Sequence, residues 1–225
     1  MDGAGTATQG MEYSMISILG IILIPLAAYG LSTNRLAINP RTVFGAFIIQ
    51  ASFGFLVLYV PLGKQLLASL ADSIASMLSY TKAGTSFLFG RLVDQDMGFI
   101  FALNALPIIV FFSALVAVLY HLGIMSRIIR AIGGSLKALI KTSHAESMSA
   151  AANIFIGQTE APLVVRPYLA GMTKSELFAV MVGGLASIAG SVMAGYAALG
   201  IELKYLLAAC FMAAPGGLMM AKIIL

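Results

Sequence analysis

Charged residues make up only 10% of this 225-residue chain, while 60% are hydrophobic. A soluble domain carries about 25% charge, so a water-exposed globule is excluded and much of the apolar surface has to face lipid. Acids are the scarcer sign, nine against 13 Lys and Arg, and the net +4 follows from that shortage. No Lys/Arg-rich run with interleaved aromatics is present, which argues against nucleic acid as a partner. The single cysteine, Cys210, cannot form an intrachain disulfide, and its apolar setting reads as a buried, inert thiol. No metal-ligand cluster and no nucleophile–base pair stands at a recognisable spacing. An enzyme, such as an intramembrane hydrolase using Glu160, His144 or a serine, is therefore not supported, and no organic cofactor is expected. No cleavable signal peptide is evident; residues 1–10 read as an expression scar, with Met11 as the native start.

What the chain does contain is glycine, 23 residues, and methionine, 13, which suit close helix contacts and pliable packing. Charges punctuate long apolar runs. Residues 13–34 and 42–63 are each 22 uncharged residues, enough to span a bilayer as helix; Pro25 is a candidate kink in the first. In 65–80, Leu66, Leu67, Leu70, Ile74, Met77 and Leu78 recur at helical spacing among Ser69, Asp72, Ser73 and Ser76, the pattern of an amphipathic helix lying on the membrane. A third run, 97–126, has 30 residues and predicts a tilted or protruding helix. Runs at 177–201 and 205–221 follow, the latter interrupted by Pro215-Gly216-Gly217. The expected fold is an all-α integral membrane protein with five spans, an interfacial amphipathic helix and a re-entrant helical hairpin.

Arg127, Arg130, Lys137 and Lys141 cluster between the third run and the hairpin and read as a cytoplasmic loop in contact with lipid headgroups. Counting spans from there puts the N-terminus outside and nine of the 13 basic residues inside. Asn104 with Pro107 reads as a kink, His121 as a packed or interfacial histidine, and His144 with Glu146 as solvated loop residues rather than a relay.

The chemistry concentrates in 146–168, ESMSAAANIFIGQTEAPLVVRPY, too polar for a span and too apolar for a loop. Ser147–Ile156 is a plausible half-bilayer helix. Gly157 suits its C-terminus, Thr159 can cap a second short helix with Pro162 in its first turn, and Arg166-Pro167 ends it. The tip, Gly157-Gln158-Thr159-Glu160, then lies near mid-membrane, where a carboxylate costs several kcal/mol unless solvated or paired. The first half-helix points carbonyls at the tip and the second points N–H groups, the device by which broken helices build mid-membrane sites. The centre of 177–201, Gly183 to Ser191, is rich in Gly, Ala and Ser. It can unwind beside the tip and lend carbonyls to a cation.

GQTEAPL at 157–163, preceded by Asn153 and followed by Pro167-Tyr168, closely resembles the signature hairpin of the concentrative nucleoside transporters. GGLASIAGSVMAGY at 183–196 resembles that family's broken fourth helix at the right separation. The resemblance covers residues 11–225 and implies a first, N-terminal half of an inverted-repeat transporter, with 11–141 as scaffold and 142–225 as transport region. It implies that Gln158, Thr159, Glu160 and Val192 bind the nucleobase. It likewise implies that Asn153, Ile156, Ser187 and Ile188 hold sodium, the two isoleucines through main-chain carbonyls. Oxygen ligands suit a hard cation, and an amide and a hydroxyl suit a heterocycle's donors and acceptors. It further implies a homotrimer in the bacterial cytoplasmic (inner) membrane and a C-terminal half, absent here, that grips the ribose. Sodium–nucleoside symport by alternating access is the expected activity. Proton coupling through Glu160, or a scaffold fragment not competent for transport alone, is the alternative.

Overall fold

The computed structural model describes residues 19–93, 98–158 and 160–225, and every regular element among them is helical. The expected scar at 1–10, the first part of the 13–34 run, Asp94, Asp96 and Thr159 lie outside the described residues. Within them the first run is helix α1 (Leu19–Gly30), which passes Pro25 without a break. Arg35 closes it, donating through Nε and Nη2 to the Tyr29 and Gly30 carbonyls at 3.3 Å each and stacking over the Tyr29 ring.

Helix α2 (Pro40–Tyr59) starts where Asn39 accepts from the Arg41 N–H and Pro40 supplies a preset φ. It is followed at once by α3 (Pro61–Phe89), which runs through the stretch expected to be an amphipathic helix at 65–80 and past it at both ends. The buried face of α3 is Gly63, Leu67, Ala71, Leu78, Thr81 and Thr85, whereas Leu66, Leu70 and Met77 are exposed. The single helix expected over 97–126 is instead three. They are α4 (Phe101–Asn104), α5 (Leu106–His121) and α6 (Ile124–Ile140). Asn104 turns its Oδ1 back to accept from the Ile100 N–H at 3.0 Å, and Pro107 then opens α5, the kink read from this pair. Gly123, at φ +71°, takes the left-handed conformation that separates α5 from α6.

Helix α6 corrects the expected basic loop. Met125, Ile129, Gly133, Leu136 and Ile140 fall on one face and are buried, while Arg127, Arg130 and Lys137 point away. That is a strongly amphipathic helix, whose charges mark its polar face as well as a topology signal.

Among the described residues four helices or helix pairs, against the five spans expected, are long and apolar enough to cross a membrane: Pro40–Tyr59, Phe101–His121, Lys174–Ala198 and Leu203–Ile224. With Phe44, Ile48, Phe55, Val110 and Val118 exposed on their outer faces, the protein is a multi-pass membrane protein. The last of them, α11 (Leu203–Ile224), is continuous through Pro215 rather than interrupted. Gly216 and Gly217 let neighbours close in on it: Cβ atoms there would meet the Gln50 amide at 3.1 Å and Gly183 Cα at 3.6 Å. Phe53 on α2 stacks on Phe211 at 5.4 Å, so α2 and α11 lie side by side.

One end of the bundle gathers the α1–α2 loop, the corner between α6 and the next helix, His144–Asn153, and the end of α11. Thr33 donates to the Ile224 carbonyl from both its N–H and its hydroxyl, and a Cβ on Gly45 would touch the Leu139 carbonyl. Lys222 reaches the starts of the helices His144–Asn153 and Lys174–Ala186 at the same end.

Candidate functional site

Two short helices and a broken one meet here. Helix α7 (His144–Asn153) starts in a capping box: Ser143 accepts from the Glu146 N–H at 3.2 Å, and Glu146 accepts from the Ser143 N–H at 2.9 Å. It starts and ends three residues earlier than the expected 147–156, because Ser143-x-x-Glu146 sets the beginning and the Ile154–Gly157 turn sets the end. Gly157 is not the left-handed cap expected; the positive-φ glycines among the described residues are Gly90, Gly98, Gly123 and Gly200. Helix α8 (Ala161–Val164) follows, with Glu160 at its N-cap, Pro162 in its first turn, and a 3₁₀ turn over Arg166–Gly171 after it.

The long apolar run after it also parts. Helix α9 (Lys174–Ala186) opens on a second capping box, Thr173 with Glu176, and ends at Ser187 in extended backbone. Helix α10 (Gly190–Ala198) resumes three residues later. The unwound Ser187-Ile188-Ala189 exposes carbonyls that a continuous helix would have used.

Three glycines bring the turn and the break together. A Cβ on Gly183 would stand 3.2 Å from the Asn153 side-chain amide. On Gly184 it would stand 3.0 Å from Gln158 Cβ, and on Gly190 only 2.2 Å from the Phe155 carbonyl oxygen. The turn 153–158 is therefore pressed against the end of α9 and the start of α10, tightly at Gly183 and Gly184 and, at Gly190, closer than any side chain would allow.

Within this junction Asn153 is 1% exposed, and neither its Oδ1 nor its Nδ2 has a hydrogen-bond partner. An amide in that state costs about 1–3 kcal/mol per unmet group, and native structures keep such orphans for a reason. The carbonyl end of α7 points the same way as its last residue, Asn153, which favours positive charge. Oxygen donors of this kind suit a small hard cation. Ile156 is buried, and Ser187 and Ile188 are half-buried. The Ile188 carbonyl is approached by the fully buried Cys210 thiol at 3.7 Å, a weak bond that holds the unwound strand in place.

The residues expected to meet the nucleobase lie at the open side. Gln158, Glu160 and Val192 are all exposed, while Gln158 is anchored through its backbone on Gly184. His144 is exposed and meets Tyr168 edge-on at 5.8 Å. Glu146 is the reverse of the solvated residue expected: it is 2% exposed and paired with Lys222 of α11, whose ammonium also donates to Ser175 Oγ at 2.9 Å. The Ser-x-x-Glu and Thr-x-x-Glu spacings were a legible signal for both helix starts. Lys222 carried none, because its partner is 76 residues away.

Broken helices whose ends converge on a buried polar group are the device with which secondary transporters build their sites. Residues 19–92 match the family described as Na+ dependent nucleoside transporter N-terminus, and residues 102–202 match the one described as nucleoside recognition. The chain belongs to the concentrative nucleoside transporter family and corresponds to its N-terminal half. It is 60% identical over 209 residues to an uncharacterized transporter of Haemophilus influenzae, covering 92% of this chain and 50% of that one. It is 54% identical to nucleoside permease NupC of Helicobacter pylori, covering 94% and 52%, and 41% identical to human sodium/nucleoside cotransporter 1, covering 96% and 33%. A solved structure of CNTnw in an inward-facing, substrate-bound state superposes with a TM-score of 0.91 at 57% identity, covering 94% of this chain and 52% of that one. The chain thus spans about half the length, or less, of the relatives it matches.

Proposed function

We propose that this chain is the nucleobase-binding half of a sodium-coupled nucleoside symporter. The observation that carries the proposal is the buried, unpartnered Asn153 amide at the junction of hairpin and broken helix. Sodium at Asn153 Oδ1, with the Ile156 and Ile188 carbonyls and Ser187, would satisfy that oxygen and tie the turn to the break, leaving the Nδ2 group to a separate acceptor. The tip residues Gln158, Thr159 and Glu160, with Val192, would then be presented to a nucleobase. Binding order follows: the ion orders the site, and the base meets donors and acceptors already in place.

Transport is by alternating access, with 142–225 moving as an elevator-like unit against a scaffold formed by 11–141. One sodium crossing about 100 mV supplies about 2.3 kcal/mol, which supports roughly 40-fold accumulation at 1.4 kcal/mol per tenfold. The C-terminal half present in the relatives supplies the ribose contacts, and the assembly is a homotrimer in the bacterial inner membrane, N-terminus outside. The clustering of Arg35, Arg41, Lys141, Lys174 and Lys222 toward one end of the bundle supports that orientation. The name of the human relative as a sodium/nucleoside cotransporter supports the coupling ion.

Proton coupling is the second reading, and the exposure of Glu160 beside the tip favours it, since a solvent-reached carboxylate can exchange protons. Uptake of radiolabelled uridine and adenosine into proteoliposomes holding the full-length protein, with inward sodium or proton gradients, separates the two. Sodium-driven uptake is expected, reduced at least tenfold by Gln158→Ala. Uptake that follows only the proton gradient would overturn the sodium assignment. Sodium-driven uptake indifferent to Gln158 would remove the tip from the base site.

A further inference from the structure

The buried Glu146–Lys222 pair stands at one end of α7 and Asn153 at the other. Seven residues of helix separate them, about 10 Å. Both lie on the same face, with Ser149 between them, buried and with its hydroxyl unpartnered. Between its ends α7 carries no charge, and neither does α9 after Glu176 nor α11 from Tyr205 to Ala221. No ion in these helices screens one end of α7 from the other.

Glu146 has a place without Lys222. One carboxylate oxygen accepts from the Ser143 N–H, and the group sits in the first turn of α7, where the helix N-terminus favours negative charge. The other oxygen is ion-paired with the Lys222 ammonium. Lys222 is 21% exposed at its side chain, so its ammonium can reach water, whereas the carboxylate at 2% cannot. Glu176 lies half-buried on the outer flank of the same cluster, close enough to feel Lys222, and its charge is shared with solvent. Among the described residues the capping glutamate of α7 is thus the acid locked inside, and the half-buried Lys222 is its counter-charge.

We infer that Lys222 is a positioning residue that sets the cation affinity of the Asn153 site by neutralising Glu146 through the length of α7. The inference rests on the sodium reading of Asn153. Unneutralised, a carboxylate about 10 Å from a bound cation strengthens its binding roughly tenfold at the effective dielectric of about 20 found for protein sites. A site that bound sodium so tightly would load well and release poorly, and the tethered ammonium keeps it exchangeable.

The test is the sodium KM of nucleoside uptake by the full-length protein in proteoliposomes. Lys222→Met is expected to lower the sodium KM about tenfold and to slow turnover. Glu146→Gln is expected to raise it about threefold, less than the mirror effect because the freed ammonium turns to water. Lys222→Arg keeps the charge and should keep the wild-type KM. The double variant Glu146→Gln/Lys222→Met, which replaces the pair by neutral groups of similar size and should fold well, is expected to return to the wild-type value. A purely structural pair would lower stability and maximal rate in all variants without this opposed pattern.

Wild-type sodium KM in both single variants, or a double variant shifted as far as either single, overturns the inference and leaves sodium coupling standing. Uptake by the wild-type protein that ignores sodium overturns the coupling reading, and this inference with it. Should Lys222→Met fail to assemble, Glu146→Gln against the double variant decides: the second substitution has to bring the KM back.

Discussion

Gly190→Ala is expected to abolish nucleoside uptake. The added Cβ would stand 2.2 Å from the Phe155 carbonyl oxygen, 2.8 Å from Phe112 Cε1 and 3.1 Å from the Phe155 carbonyl carbon. Two of these are backbone atoms of the hairpin turn, which cannot rotate aside. About 1 Å of separation has to open between the turn and the start of α10 to restore ordinary contact. Overpacking of this kind costs about 1–3 kcal/mol of stability, sometimes more. The functional loss is larger, because a displacement of about 1 Å in a positioned site can cost about 100-fold. Gly195→Ala, five residues along α10, is the control. Its Cβ would meet only the tip of the Ile109 side chain, at 3.1 Å and 3.3 Å, which can turn away. Folded protein, checked by size-exclusion chromatography, should show near-normal uptake for Gly195→Ala and none measurable for Gly190→Ala. Normal uptake in both would mean that the turn and the break are not held in the contact described.

Asn153→Leu is expected to make the protein more stable without sodium and to abolish its response to sodium. The leucine has nearly the shape of the asparagine and removes two unpartnered polar atoms from a position 1% exposed. Replacing an unmet polar group by an apolar isostere recovers about 1–3 kcal/mol, or a rise of a few degrees in Tm for a chain of this size. The wild-type protein, by contrast, should gain about 2.7 kcal/mol at sodium 100-fold above its Kd, and the variant should gain nothing. Thermal melts in detergent with sodium or choline chloride read both effects. A lower Tm for Asn153→Leu in choline, or an undiminished sodium shift, would show that the asparagine is a structural residue and not a ligand. Stability held below its optimum at a binding residue is the usual mark of function.

The two predictions share one physical idea. The turn and the break are held by close backbone approach, through glycines that admit the turn, and Asn153 carries an unmet polar group that the proposed ion would complete on its oxygen. Gly184 extends the same logic to the proposed base site, since its missing side chain is what lets Gln158 rest on α9.

Much of this was legible in the chain. Low charge and long apolar runs dictate a helical membrane protein, because backbone groups in lipid have to be satisfied within the helix. The polar tip at 157–160 marks where helix cannot continue, and the Gly- and Ser-rich centre of 177–201 marks where a second helix can part, which it does at Ser187–Ala189. These signals are local, so periodicity and composition carry them. The Ser143 and Thr173 capping boxes were equally local. What only the tertiary structure decided is which distant groups meet. The loop-like charges of 127–141 became an amphipathic helix because neighbouring elements offered its apolar face a place to bury. Pro215 sits inside a continuous α11, as membrane helices tolerate, and Gly216 and Gly217 beside it let α2 and α9 pack closely. Glu146 went inside because Lys222 arrives from the far end of the chain, and burial of a charge is settled by its partner rather than by its own sequence neighbourhood.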